Sequence, residues 1–284
     1  MRLKRTVQGA GGQASRGERN QAERPRLDRV RVEREPLLSI ATRGDVTTGV
    51  VLLLHGGRVN SRSLVRRGNL PVARMRMFAP AILAAAGESG IAVAMLRNRY
   101  RGWNGRDADP VADALWALGE IERRYGAVPV VVVGHSMGGR AALRVAGASA
   151  VRGVVALAPW LPANEPTTQL AGRTVLIAHG DRDSVTSPDE SLAYVRRIAD
   201  VAERVCFWRV PGGRHAMLER PVHWHGLVRD FALGVLEIRP LTQDLADAFD
   251  AGALELGLGA KAARRRHEYE YGHDYSSEAA YRLR

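Results

Sequence analysis

Residues 130–139 read VVVVGHSMGG, and this segment is the strongest indication of the fold. Four consecutive valines are typical of a buried parallel strand, and Gly134, Ser136 and Gly138 after them form a Gly-x-Ser-x-Gly pattern that opens a helix of small residues. A serine at the tip of so tight a turn has strained backbone dihedrals, so positions 134 and 138 can carry no bulky side chain. The turn pushes the hydroxyl clear of the sheet, beside a helix N-terminus that favours developing negative charge. The stretch therefore predicts a nucleophilic serine at position 136.

The composition is that of a chain able to bury a large core. The 284 residues are 45% hydrophobic, enough for one large core or two small ones. No apolar run approaches the roughly 18 residues of a membrane-spanning helix, and no apolar segment follows the basic residues 1–5, so neither a membrane span nor a secretory signal is expected. Cys206 is the single cysteine, which fits a reducing compartment and, within an apolar run, a buried thiol. These features predict a cytoplasmic protein and leave its oligomeric state open.

The two ends of the chain differ from its middle. Residues 1–36 hold ten Lys and Arg against five acidic residues, a net charge of about +5 with few large apolar side chains, which predicts a disordered basic extension. An alternative is an arm that makes weak contact with nucleic acid, although it has no aromatic residue to stack on bases. Residues 37–238 are expected to form the folded domain. Residues 239–284 are expected to hold a helix within 241–256 and a mobile, tyrosine-rich tail, for which partner binding is the less favoured reading.

Between these ends, strand-like and helix-like segments alternate, which predicts a doubly wound, mostly parallel α/β sheet. The strand candidates are short, apolar and mostly β-branched: 50–54, 91–96, 130–133, 154–158, 174–178 and 205–210. The helix candidates are 71–86, 110–125, 137–146, 188–200 and a stretch within 225–236. In helix 110–125, Asp109 is the expected cap, and Val111, Leu115, Leu118 and Ile121 are expected to share the buried face.

The expected partners of Ser136 follow two later strands. A serine hydroxyl is a weak nucleophile near neutral pH and needs an adjacent base that is itself oriented by a carboxylate. Asp181 and Asp183 follow the strand at 174–178, and His215 follows the strand at 205–210. The carboxyl ends of parallel strands meet at one edge of the sheet, so these residues are expected to gather near Ser136. The order serine, aspartate, histidine is also the order expected after a nucleophile elbow.

With these motifs the chain resembles the α/β-hydrolase superfamily over roughly residues 37–236. The motifs are LHGG at 54–57, GHSMGG at 134–139, HG at 179–180 with an aspartate three residues beyond the glycine, and GRH at 213–215, each at the end of a predicted strand. The resemblance selects Asp183 rather than Asp181 as the acid, with His215 as the base and Ser136 as the nucleophile.

The resemblance also implies a reaction. Backbone N–H groups of Met137 and Gly57 are expected to form the oxyanion hole. The implied activity is that of a serine hydrolase, which cleaves a small-molecule carboxylic ester, or a thioester or amide, through an acyl-enzyme. No metal or organic cofactor is required. Only the fifteen residues 159–173 separate two of the predicted strands, too few for the cap domain that many members insert there, so the chain is similar to compact, lidless dienelactone-hydrolase-like and esterase members.

Two loops that are expected to border the site are rich in arginine. Arg58 follows the first core strand, and Arg97 and Arg99 follow the second, with Trp103 close behind. Guanidinium groups bind carboxylates and phosphates in a forked geometry, so the three arginines suggest the hypothesis of an anionic acyl or leaving group. The candidates for substrate binding are these arginines together with Trp103 and Trp160. The alternative is a solvated arginine surface with ordinary packing for Trp160.

Three other interpretations stay open. Fold does not guarantee function, so a catalytically silent hydrolase fold that binds a partner is the main alternative. A peptidase is a second, because an open site admits chains and the same triad cleaves both esters and amides. The histidines of HWH at 223–225 resemble metal ligands, but no third ligand is apparent, and histidines at the start of a helix are the preferred interpretation.

Overall fold

Seven strands form one sheet in the computed structural model, which describes residues 35–251. Their order across the sheet is β1-β3-β2-β4-β5-β6-β7, and every neighbouring pair is parallel except β1 with β3. The strands are β1 Leu37–Ala41, β2 Gly49–Leu54, β3 Ile91–Arg97, β4 Val130–His135, β5 Val151–Leu157, β6 Thr174–Gly180 and β7 Arg204–Val210. The predicted doubly wound, mostly parallel sheet is confirmed. The sequence interpretation missed β1, a short and half-exposed edge strand that lacks the continuous apolar run of its neighbours.

Helices cover both faces of this sheet. They are α1 Leu70–Arg76, α2 Phe78–Ala86, α3 Asp109–Tyr125, α4 Met137–Arg144, α5 Pro188–Ile198, α6 Pro221–Val235 and α7 Gln243–Asp250. Successive side chains of a strand point to opposite faces. Leu52 and Val132 accordingly pack with α3, α4 and α5, whereas Leu53 and Val133 pack with α1, α2, α6 and α7.

One predicted helix is divided in two. The single helix expected over 71–86 is interrupted at Met77, between α1 and α2. Pro80 explains the break, because its ring has no N–H to donate and would clash with the carbonyl four residues earlier, at Arg76. The chain therefore turns between the two helices.

The start of α3 corrects the expected cap. The N-cap position is Ala108, whose φ is +43°, and Asp109 is the first residue of the helix. The carboxylate of Asp109 accepts a hydrogen bond from the side-chain amide of Asn104 at 2.7 Å and does not cap the helix.

The buried face of α3 also differs from the one expected. Leu115 is 50% exposed, whereas Ala114, Ala117, Leu118 and Ile121 are buried. Ala114 and Ala117 lie on the face that packs against the sheet and let the helix approach it closely. A prediction that considers only the spacing of large apolar side chains does not detect this face.

Within residues 35–251, no cap domain lies over the carboxyl edge of the sheet. Between the end of β5 at Leu157 and the start of β6 at Thr174, the only regular element is a short 3-10 turn at Thr168–Leu170. This part of the prediction is confirmed. None of the helices between residues 35 and 251 combines the length and apolarity that crossing a bilayer requires.

The last described helix belongs to the core. Leu245 and Phe249 of α7 are buried, and the ring of Phe249 lies 6.1 Å from that of Phe231 on α6. The predicted helix within 241–256 is thus present as Gln243–Asp250. The predictions for the basic extension and for the tyrosine-rich tail fall almost wholly on residues 1–34 and 252–284, outside the described residues.

Candidate active site

Ser136 lies on a strained turn between β4 and α4. Its φ is +54° and its ψ is −117°, a region that non-glycine residues rarely adopt. The backbone N–H of Ser136 donates to the carbonyl of Leu157 at 2.9 Å and holds the turn. A Cβ at Gly138 would come 2.5 Å from the carbonyl oxygen of Leu54, and one at Gly134 would overlap the backbone of Gly138. Both flanking glycines are therefore required by close backbone approach, as the motif predicts.

The structure brings Ser136, His215 and Asp183 together although they are far apart in sequence. Nε2 of His215 is 3.1 Å from Oγ of Ser136, and Nδ1 of His215 is 2.8 Å from Oδ2 of Asp183. An ionised carboxylate can only accept, so Nδ1–H donates to Asp183 and Nε2 is left to accept from the serine hydroxyl. This is the tautomer that a general base beside a nucleophile needs.

The carboxylate of Asp183 is fully buried and surrounded by donors. Its Oδ1 accepts from the backbone N–H of Val185 at 2.8 Å and of Thr186 at 3.0 Å. Burial by itself would raise the pKa of Asp183, but hydrogen bonds from His179, His215, Thr186 and Val185 outweigh it and hold that pKa well below its usual range. The carboxylate of Asp183 is therefore ionised in the folded protein near neutral pH.

Asp181 has a different task. Its Oδ1 accepts from the backbone N–H of Gly212 at 2.7 Å, and the N–H of Arg182 donates to the carbonyl of Gly213 at 3.0 Å. These bonds join the loop after β6, which carries the candidate acid, to the loop after β7, which carries the candidate base. Of the two aspartates, Asp183 is the one in contact with His215.

Two buried histidines brace the loops around the serine. Nε2–H of His135 donates to the backbone carbonyl of His215 at 2.9 Å. Burial lowers the pKa of His135 to about 3, with the neighbouring His215 as a second cause. Nε2 of His55 accepts from the N–H of Asn98 at 3.2 Å, so its Nδ1–H donates to the carbonyl of Gly56 at 2.8 Å, and burial lowers the pKa of His55 to about 4. Both rings are neutral and structural at physiological pH.

The two residues expected to form the oxyanion hole lie side by side. Met137 begins α4, and Gly57 follows β2 by three residues. A Cβ at Gly57 would overlap the carbonyl oxygen of Arg101 and the thioether of Met137. Only glycine fits at position 57 without a shift of the surrounding loops.

The loops after β2 and β3 are joined backbone to backbone. The N–H of Arg58 donates to the carbonyl of Arg101 at 2.7 Å, and the N–H of Trp103 donates to the carbonyl of Arg58 at 2.9 Å. At the tip of this loop pair lies a polar cleft of about 450 Å³, lined by Asn60, Ser61, Arg62, Asn104 and Gly105. The loop pair thus fixes the backbone next to Gly57 and carries a polar cleft of its own.

The predicted substrate-binding arginines have different surroundings. Nε of Arg99 is 2.5 Å from Oδ1 of the buried Asp113, and its Nη2 is 3.4 Å from Asp109, so its guanidinium is held within the protein. Arg58 is exposed beside Gly57, and Arg97 is half-buried at the end of β3. Arg58 is thus the most exposed of the three arginines.

Trp103 and Trp160 form part of an internal cluster. Trp103 is 3% exposed, and the guanidinium carbon of Arg140 lies 3.8 Å from its ring centre and 4.6 Å from that of Trp160. Nε of Arg140 is 2.7 Å from the buried carboxylate of Glu165, which also pairs with Arg144. Trp103, a candidate for substrate binding, thus packs inside the protein against Arg140.

Thr186 contacts the candidate triad, which the sequence did not predict. Its Oγ1 is 3.0 Å from Oδ2 of Asp183, 3.1 Å from Nδ1 of His215 and 3.1 Å from the carbonyl of Ala158. In the sequence, only its position three residues after Asp183 distinguishes this threonine. That spacing does not predict that its side chain contacts the aspartate and the histidine.

The histidines of HWH are engaged in packing. Nε2 of His223 accepts from the indole N–H of Trp208 at 3.2 Å, and the ring of His225 lies edge-on to Phe78, with ring centres 4.7 Å apart. Within residues 35–251, no group of three or more His, Cys, Asp or Glu is arranged to hold a metal ion.

Comparisons with known proteins agree with this architecture. Residues 106–223, less than half of the chain, match a family model described as "Alpha/beta hydrolase domain". A comparison with curated proteins finds no match. A serine hydrolase without a lid from Xanthomonas campestris is 17% identical, with 70% of this chain and 88% of that chain covered and a TM-score of 0.50.

Two further solved structures are similar at this level. Est1E from Butyrivibrio proteoclasticus, solved with ferulic acid bound, is 13% identical over 71% of this chain and 96% of that one, with a TM-score of 0.54. The esterase Pf2001 from Pyrococcus furiosus is 18% identical over 65% and 80% of the two chains, with a TM-score of 0.52. These matches confirm the resemblance predicted from the motifs: the chain is an α/β-hydrolase-fold protein of the lidless type.

Proposed function

We propose that this protein is a serine hydrolase that cleaves carboxylic esters through an acyl-enzyme. The observation that carries the proposal is the continuous line from Ser136 to His215 to Asp183, with separations of 3.1 Å and 2.8 Å and the tautomer that catalysis needs. The strained turn that presents Ser136 adds support, because such strain persists only where the surroundings enforce it.

The proposed reaction uses each group in turn. Oγ of Ser136 attacks the ester carbonyl carbon while Nε2 of His215 takes the hydroxyl proton. The N–H groups of Met137 and Gly57 stabilise the oxyanion of the tetrahedral intermediate, and Asp183 holds the imidazolium that has formed. His215 then gives its proton to the departing alkoxide as the carbon–oxygen bond breaks. Water, activated by the same imidazole, cleaves the acyl-enzyme and restores Ser136.

A small-molecule ester is the proposed substrate. The connection between β5 and β6 carries no cap domain that would restrict a substrate's approach from that side. Est1E, whose fold is similar, was solved with ferulic acid bound. The first esters to assay should therefore include aromatic as well as aliphatic acyl groups. A preference for anionic esters rests on Arg58 and, less directly, on Arg97, since Arg99 is already paired. Arg58→Ala should then lower turnover of a hemisuccinate ester relative to the matched butyrate ester.

The deciding experiment is labelling with a fluorophosphonate, beside turnover of p-nitrophenyl acetate, butyrate and octanoate and of methyl ferulate. The proposal expects wild-type protein to label and turn over, and Ser136→Ala to do neither. A folded wild type that neither labels nor hydrolyses any ester would reject the proposal in favour of a silent binding protein. Labelling with turnover of a peptide but of no ester would favour the peptidase.

A further inference from the structure

We propose that His179 is a positioning residue for the acid and that, with Ser191, it extends the Ser136–His215–Asp183 line into a five-residue hydrogen-bond chain. The inference rests on the proposed function for its catalytic consequence, but its geometry stands apart from that function. A second histidine on the far side of the acid is not part of the mechanism given above.

Two buried side chains continue the line beyond Asp183. His179, at the end of β6, is fully buried, and its Nε2 is 3.2 Å from Oδ2 of Asp183. Ser191 on α5 is also fully buried, and its Oγ is 2.8 Å from Nδ1 of His179. The same carboxylate oxygen, Oδ2, therefore meets one imidazole from β6 and another from the loop after β7.

The protons of this chain can be assigned from the chemistry of its members. Because an ionised carboxylate only accepts, His179 must present Nε2–H to Asp183. Its Nδ1 then carries a lone pair, and the hydroxyl of Ser191 donates to it. Asp183 thus fixes the tautomer of His179 as it fixes that of His215, and the hydroxyl of Ser191 satisfies the remaining ring nitrogen.

The arrangement limits how strongly the acid can attract a proton. The N–H of His179 donates to Oδ2 and partly offsets its negative charge. Asp183 therefore orients His215 without accepting the proton that His215 takes from the serine. The other groups that face this cluster are the neutral ring of His135 on β4 and the hydroxyl of Thr186. Arg74 of α1 acts electrostatically on His135. Oγ1 of Thr186 also lies 3.3 Å from Nε2 of His179, so a substitution at 179 removes this contact as well.

The test compares His179→Leu, which cannot donate, with His179→Gln, whose amide N–H can replace Nε2–H. In the leucine variant the full charge of Asp183 acts on His215. The acid limb of kcat/KM is then expected to move up by about half a pH unit, and the plateau to fall about tenfold. The glutamine variant should keep the acid limb of the wild type and most of its activity.

Several results would overturn the inference. A leucine variant with lower activity but an unmoved acid limb would reduce His179 to a packing residue, and so would a glutamine variant that behaves like the leucine variant. The tautomer of His179 in the wild type, measured by 15N NMR without substrate, gives an answer even if the leucine variant does not fold or the protein is inactive. Nε2–H is expected, and Nδ1–H would refute the inference. Absence of labelling and turnover in the wild type would instead count against the proposed function.

Discussion

Replacing Gly57 by alanine tests the proposed oxyanion hole through a single methyl group. The added Cβ would overlap two neighbours, the carbonyl oxygen of Arg101 and the thioether of Met137. The methionine side chain can rotate away, but the carbonyl is backbone and is itself held by the N–H of Arg58 at 2.7 Å. The loop that carries Gly57 must therefore shift, and its N–H must move with it.

The expected cost follows from that shift. Loss of one oxyanion donor lowers kcat by about 10²–10³-fold, or about 3–4 kcal/mol of transition-state stabilisation. Overpacking by one methyl group costs about 1–3 kcal/mol of folding stability, a separate and smaller effect. KM should change little, because the donor acts mainly on the tetrahedral intermediate.

The assay is steady-state turnover of p-nitrophenyl butyrate together with urea unfolding of the same samples. Gly68→Ala is the matched control, since a Cβ there meets nothing within 4 Å and the glycine lies in the same loop. The control should keep the activity of the wild type. A Gly57→Ala variant that folds and turns over within threefold of the wild type would show that the N–H of residue 57 does not stabilise the transition state.

Three further predictions concern stability and reactivity. Burial gives His55 a folded pKa of about 4 and His135 one of about 3, so protons bind the unfolded chain more readily than the folded protein. The free energy of unfolding should therefore have its full value above about pH 6.5 and fall on acidification by up to about 1.4 kcal/mol per pH unit for each ring. An unchanged urea midpoint between pH 7 and pH 5 would contradict this prediction. Glu165→Leu leaves Arg140 buried without its partner and should lower the free energy of unfolding by about 3–5 kcal/mol, where a loss under 1 kcal/mol would show that the pair is dispensable. Burial raises the pKa of Cys206 to about 12, so a thiol reagent at pH 8 should modify it only as urea unfolds the protein, and rapid modification of the native state would refute its burial.

The candidate triad could be predicted because its members are local signals at strand ends. The valine run before Ser136, the glycine three residues before Asp183 and the glycine pair before His215 each mark a strand that ends in a functional loop. Parallel strands then bring their carboxyl ends to one edge of the sheet, and sequence distance ceases to matter. Choosing between Asp181 and Asp183 needed the family resemblance, because spacing alone does not separate two aspartates in one loop.

What could not be predicted depends on contacts between distant segments. Nothing near His135 indicates that its ring holds the carbonyl of a residue in the loop after β7, and nothing near Arg99 indicates that Asp113 on a later helix accepts its guanidinium. An arginine or tryptophan in a loop looks the same in sequence whether it faces solvent or a buried carboxylate. The sequence therefore gives no sign that the ring of Trp103 packs against Arg140 in an internal cluster.

The contact between the loops after β6 and β7 has a consequence for how the protein could be altered. Asp181 joins these loops, and Gly180 and Gly213 approach so closely that a Cβ at Gly180 would overlap the backbone of Gly213. The loops after β2 and β3 are joined to each other in the same way, on the other side of the serine. The proposed active site thus divides into two separately braced halves: the first holds the groups proposed for proton transfer, and the second holds Gly57, whose N–H is proposed to bind the oxyanion. Substitutions at the tip of the second half, for example at Asn60 and Ser61, are therefore expected to leave the contacts of the first half intact.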